Sequence, residues 1–495
     1  MGFAGKPSPA CQPCRTARRK CDLKTPACSA CMRITVLCFG YRTTQPVIIR
    51  DETFKVIQRA RRDYRRLSAK DRTTDLAARL PERRTSCPLS KDVSLPLQAT
   101  AIGYFFSIFS RSGTFAYLPE YAATLVEDSE NMQAFCASAL GSMALQYRND
   151  GLSLAARHYY TSSLASVNRD LTSPNSMVLD STLLRILILS AFEALDLHRS
   201  ADPENWTIHI KGSCRLLVMR GKSQFQTRFG RELFHHASVN ILVHSILLEL
   251  AVPRDLGHLI EHATSCPGDM DSAGTYILAL LWQMALLAPR VQTLAFQEVL
   301  EHVLPLERQA SAFLSDLHKL APFEKINIAC RDNSYRKLHP ICTYEGYMHL
   351  YDNQQIARLY NTARLMQLTL KEWKFTAASG PWPVNYHRQE WTSEKRIWLN
   401  KILDESSSLV SDVLASVPYS LDKLDPKDST EARYLIWPLT RVASFNICPS
   451  PAKIFISDRL IAIADKFGLR HAQEVAIMLE QGDKAQDWMH VLYLS

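Results

Sequence analysis

Six cysteines near the start of this chain have a spacing that can do metal chemistry. From Cys11 it runs C-x2-C-x6-C, a gap of six residues, then C-x2-C-x6-C again. Each half sets two thiolates about one helical turn apart and a third after a further short stretch, so three sulfurs can converge on one point. Three ligands do not close a structural zinc site, which takes four in a tetrahedron with Zn–S distances of about 2.3 Å. Two ions need eight metal–sulfur bonds, and six cysteines supply eight only when two of them bridge. The symmetry of the halves points to the first cysteine of each, Cys11 and Cys28, as the bridges. Cys14 and Cys21 then complete one ion, and Cys31 and Cys38 the other. A single zinc ribbon using four of the cysteines is the competing arrangement, and it leaves the duplicated spacing unexplained. A disulfide knot is disfavoured by compartment: Met1–Ala10 lacks the apolar core of a secretory signal, so a reducing environment is expected.

Charge is distributed as unevenly as cysteine. Residues 1–90 hold 20 Lys+Arg against 7 Asp+Glu, whereas the rest of the chain holds 38 against 42. A basic head on a slightly acidic body is the electrostatic footprint of a polyanion binder. Arg15, Arg18, Arg19 and Lys20 lie between two of the cysteines and are expected on one short, metal-braced helix.

Cys11–Cys38 resembles the fungal zinc binuclear cluster (Zn2Cys6) family of DNA-binding domains. The likeness rests on the six cysteines, the Arg15…Arg18-Arg19-Lys20-Cys21-Asp22 run, and Pro26 in the loop between halves. It implies a small irregular domain with two short helices, two structural Zn2+ per chain, a nuclear location and double-stranded DNA as partner. In this family the first helix enters the major groove and reads a CGG-like triplet, with dimer spacing setting half-site separation. Arg18 matches the principal base-reading position, where a guanidinium suits guanine O6 and N7. Arg15, Lys20, Lys24 and Arg33 are then expected to fix register on phosphates, with Arg19 beside them. One residue departs from the pattern: the position before Arg18, usually Arg or Lys, is Ala17.

The sequence divides into a cluster domain over 11–38, a basic linker region over 39–96 and a helical body over 97–490. Residues 51–72 have the pattern of a short basic helix, with Phe54, Ile57, Tyr64 and Leu67 at nearly helical spacing. Many family members dimerise through a coiled coil here, but that needs apolar seam positions over about three or four heptads. The pattern fades sooner and Arg61 sits on the seam, so no clear coiled coil supports a homodimer. The basic run suits a nuclear localisation signal or an extra phosphate contact. Thr73–Pro96 has the composition of a flexible linker.

Beyond Leu97 the pattern becomes amphipathic and apolar helices, clearest over Asp180–Leu197, Arg231–Ala251, Thr275–Ala288 and Asn353–Trp373. Period-two alternation is nearly absent, so a large all-α body is expected. The most apolar stretch, Thr275–Ala288, is too short to span a bilayer, and no membrane association is expected. Several strings resemble the fungal-specific transcription factor domain: Trp206-x-x-His209-x-x-Gly212 with Arg220-Gly221, Tyr360-Asn361-x-x-Arg364, Ala415–Tyr419, Trp437-Pro438-Leu439, and Gly468 with His471-Ala472. The resemblance implies a regulatory domain that contacts the transcription machinery, often governing metabolic or secondary-metabolite gene clusters, and not an enzyme.

No catalytic constellation argues otherwise. Gly221-Lys222-Ser223 lacks the leading glycine of a phosphate loop, because Leu216 stands there. His209 suits helix packing better than catalysis, Cys136 and Cys214 suit buried packing, and Trp437-Pro438 suits a helix start. A sequence-specific DNA-binding regulator of RNA polymerase II transcription is the expected function. The alternative is a co-regulator or scaffold whose cluster has reduced DNA affinity.

Overall fold

The computed structural model describes residues 10–25, 27–36, 38, 96–110, 115–195, 203–265, 272–327, 343–379, 393–422 and 430–482. The chain forms two compact units, 1–75 and 76–495. The expected basic helix over 51–72 and the linker over 73–95 lie outside the described residues.

The head contains two five-residue helices, α1 (Gln12–Thr16) and α2 (Ser29–Arg33). Both end in the same way. The Arg19 N–H bonds the Cys14 carbonyl (2.8 Å) and the Val36 N–H bonds the Cys31 carbonyl (3.2 Å). The residue between helix and donor turns left-handed in each case, Arg18 at φ 49° and Thr35 at φ 53°. This is a Schellman ending, usually built on glycine. The helical stretch expected from Cys14 to Cys21 therefore stops at Thr16, and Arg18, Arg19 and Lys20 lie beyond it. A continued helix would carry Cys21 about 10 Å along the axis from Cys14, away from the sulfurs it has to meet.

The body is a stack of helices: α3 (Leu97–Ile108), α4 (Ala122–Glu127), α5 (Ser129–Tyr147), α6 (Asp150–Leu171), α7 (Asp180–Leu195), α8 (Pro203–Arg220), α9 (Arg228–Leu248), α10 (Arg254–Ser265), α11 (Ser272–Leu287) and α12 (Phe296–Leu320). A short antiparallel pair follows, β1 (Glu324–Asn327) with β2 (Tyr347–Leu350), in register Ile326↔Met348. Then come α13 (Gln354–Ser379), α14 (Ser393–Leu414), α15 (Val417–Asp422), α16 (Thr430–Ser444), α17 (Ser450–Phe467) and α18 (Arg470–Gln481).

Local chemistry sets many of these ends. Asp128 accepts from the Glu130 N–H (2.8 Å) to start α5, Asn149 from Leu152 (3.1 Å) to start α6, and Thr227 from Gly230 (2.9 Å) to start α9. Gly468 ends α17 in the left-handed region at φ 67°. Gly257 lets α10 lie against Trp282, since a Cβ there would come within 2.6 Å of the indole.

The predominantly helical body matches the expectation, with β1–β2 as an addition. Four-residue strands are too short to show alternation. Trp437-Pro438 needs correction: it lies inside α16 and not at a helix start. The seven residues from Thr430 to Ile436 already form helix before it, and Trp437 is held between two apolar cores.

One of those cores is built from α3–α12 and the other from α14–α18, and α13 serves both. Its Met366, Leu370 and Trp373 face the first, and Leu368, Phe375 and Ala378 the second. A helix enclosed this way could be apolar all round. Instead α13 buries Asn361, Arg364, Gln367, Lys371 and Lys374 at helical spacing. Two of the strings quoted above meet on it: the Asn361 amide donates to the Ser416 hydroxyl (2.8 Å). Arg364 donates to the Tyr351 hydroxyl (2.8 Å) and to Asn361 Oδ1 (3.1 Å).

Candidate metal centre and nucleic-acid face

The six head cysteines come together in two groups of four sulfurs. Cys11, Cys14, Cys21 and Cys28 form one and Cys11, Cys28, Cys31 and Cys38 the other, with all sulfurs of a group within 4.8 Å of one another. Cys11 and Cys28 belong to both. Their sulfurs lie 3.6 Å apart, as do those of Cys11–Cys31 and Cys14–Cys28, while Cys21–Cys11 is 3.8 Å. A sulfur tetrahedron with bonds of about 2.3 Å has edges of about 3.8 Å, so these separations fit tetracoordinate zinc. They are far too long for a disulfide bond of about 2.05 Å, and all six are free thiols.

Backbone and burial prepare the sulfurs. Cys28 caps α2, its sulfur accepting from the Cys31 N–H at 3.4 Å. Burial pushes the thiols of Cys11, Cys14 and Cys31 up, Cys14 to about 12. Backbone N–H groups of Cys11 and Leu23 hold Cys21 down at about 7. Crowded, buried sulfurs that resist ionising by themselves need a cation to hold them as thiolates.

A further contact joins the halves. Asp22 accepts from the Ser29 hydroxyl (2.6 Å) and the Ser29 backbone N–H (3.0 Å), tying the end of the first half to the start of α2. Those Ser29 bonds hold the Asp22 carboxyl below its ordinary range. The sequence run contains Asp22, but nothing local says that Ser29 is its partner.

Among the basic residues, Arg15 belongs to α1, while Arg18, Arg19 and Lys20 are exposed on the turn beyond it. Lys24 is exposed and lies 3.9 Å from Asp22. Arg33 is exposed at the end of α2, in the second half. The two halves differ in surface chemistry. Where the first shows Ala17, Arg18 and Arg19, the second shows Ile34, Thr35 and Val36, all exposed.

In the body, Cys136 and Cys214 are buried, and burial raises each thiol to about 11. Gly221-Lys222-Ser223 is a 3-10 turn after a helix, not a loop after a strand. The His209 and Trp206 side chains lie outside the described residues. No helix among the described residues is long and apolar enough to cross a membrane.

A paired four-sulfur centre carrying a basic turn, joined in one chain to a large helical body, defines a zinc-dependent DNA-binding regulator. Residues 9–46 match the fungal Zn(2)-Cys(6) binuclear cluster domain, which binds two zinc ions, and residues 107–492 match the fungal specific transcription factor domain. The chain belongs to the family of fungal zinc-cluster transcription factors. These are transcription factor domains and not enzyme families. No curated protein and no solved structure matches it.

Proposed function

We propose that this chain is a nuclear regulator of RNA polymerase II transcription that reads a single CGG-type half-site and controls a metabolic or secondary-metabolite gene cluster. Cys11 and Cys28 bridge the two ions, Cys14 and Cys21 complete one, and Cys31 and Cys38 the other. Arg18 reads guanine, Arg19 lies beside it, and Arg15, Lys20, Lys24 and Arg33 hold phosphates.

The supporting observation is the asymmetry of the two halves. The same backbone turn carries Arg18-Arg19-Lys20 in the first half and Thr35-Val36 in the second, so the first turn is cationic and the second is not, with Arg33 of the second half lying at the end of α2 before it. The helical body contacts the transcription machinery. A single half-site follows from the lack of a clear coiled-coil pattern over 51–72.

The second reading, a co-regulator with a weak DNA contact, draws on Ala17, whose exposed methyl cannot reach a phosphate. Fluorescence anisotropy of the full chain on a CGG duplex and a scrambled duplex, at rising salt, separates the two. Preference for CGG with a steep salt slope is the expected result. Equal, weak binding to both duplexes would establish the co-regulator reading.

A further inference from the structure

The buried polar row on α13 is satisfied internally along most of its length. Arg364 has Tyr351 and Asn361, and Lys374 has Glu307 Oε2 at 2.6 Å. Lys371 differs, because it forms the floor of a cavity of about 590 Å³ between α12, α13 and α14. That volume suits a small organic ligand.

Charge at the floor is unevenly matched. Two lysines, Lys371 and Lys374, are buried along α13, their side chains 11% and 7% exposed, and they share one largely buried carboxylate, Glu307. Glu307 gives Oε2 to Lys374. Its Oε1 stays 3.6 Å from Lys371 Nζ and accepts no hydrogen bond among the described residues. The second counter-charge comes from the rim: Glu405 on α14, its side chain 42% exposed, reaches Lys371 Nζ at 2.5 Å. A buried ammonium needs a paired anion, and here the chain supplies one from a residue that solvent can take back. Arg308, exposed on the rim, adds a cation with no ion pair among the described residues. The walls include Leu304 and Leu409, and Gln367 beside Lys371 is already committed to the Ser311 hydroxyl (2.8 Å).

We propose that this cavity binds a small aliphatic monocarboxylate, whose carboxylate takes the place of Glu405 on Lys371 while its apolar body lies between Leu304 and Leu409. The cavity is lined by the middles of three helices, so it offers no ring of backbone N–H groups for a phosphate. The ammonium on its floor repels a cationic ligand.

Isothermal titration calorimetry of the full chain with 4-methylpentanoate tests the site, with 4-methylpentanamide and 3-methylbutylamine as neutral and cationic counterparts. Saturable one-to-one binding of the acid is expected, with the other two at least about tenfold weaker, the usual margin of a charge-assisted bond. Lys371→Met should abolish binding. Because that change takes the partner of Glu405 and one of the two cations beside Glu307, and can unfold the chain, Glu405→Gln is the decisive variant: it removes the internal competitor, keeps Lys371, and should tighten acid binding about tenfold. Leu409→Trp, which fills the cavity, should block binding with the helical signal intact. Equal binding of acid and amide, unchanged or weaker acid binding by Glu405→Gln, or no binding by either the parent or that variant would overturn the proposal and leave Lys371–Glu405 a structural ion pair.

Discussion

Arg18 and Thr35 occupy the same point of the two halves of the head, and both hold the left-handed backbone, at φ 49° and 53°. Outside glycine that conformation costs about 1–2 kcal/mol per residue, so each turn is kept by what surrounds it. In each half the turn reverses the chain after a short helix, and in the first it returns Cys21 to within 3.8 Å of Cys11.

Glycine at the two positions should therefore act differently. Thr35→Gly relieves the turn and is expected to slow zinc loss to a chelator, with DNA binding unchanged. Arg18→Gly relieves the same turn but removes the guanidinium, and should weaken the preferred site by about 1–3 kcal/mol with preference lost at one base pair. A gel-shift series over single-base variants reads the difference. A uniform loss across all sequences would move Arg18 to the phosphate backbone.

The shared sulfurs predict an unequal zinc count among cysteine variants. Cys11→Ser or Cys28→Ser should lose both ions and DNA binding together, because each belongs to both four-sulfur groups. Cys38→Ser touches one group and should retain more metal than either. Zinc per chain by metal analysis checks this, and equal loss in all three variants would refute the bridging assignment.

Arg185 in the body is expected to be a stability centre. It is 2% exposed, pairs with Glu130 and Asp170, and donates to the Ser166 hydroxyl at 2.8 Å. Arg185→Ala leaves Asp170 without its ion pair and Glu130 with Arg169 alone, and should destabilise the body by about 3–5 kcal/mol. Urea unfolding followed by circular dichroism measures it.

Three buried histidines predict acid sensitivity. Burial holds His236 at about 3, His244 at about 4 and His349 at about 3, against an ordinary value near 6.5. The unfolded chain takes up protons below about pH 6.5 that the folded chain refuses, so stability falls as pH drops from there towards 4. The limiting slope is about 1.4 kcal/mol per pH unit for each histidine. His236→Gln should reduce the slope of unfolding free energy against pH over this window, and an unchanged slope would count against its buried, neutral state.

The chain's sequence by itself determined the zinc count and the helical character of the body. Ligand arithmetic and helical periodicity are local properties, readable from spacing alone. It could not show that the helix after Cys14 ends within three residues, since nothing in Arg18 signals a left-handed turn that closure around the sulfurs imposes. Trp437-Pro438 departs from the expected helix start for a related reason: proline prefers a first turn, and the packing of Trp437 against two cores is a tertiary property that spacing does not carry. The meeting of Asn361 with Ser416, and of Lys371 with Glu307 and Glu405, was likewise decided by tertiary structure. Burial makes a polar side chain find a partner, and which partner depends on how helices distant in sequence come to lie side by side.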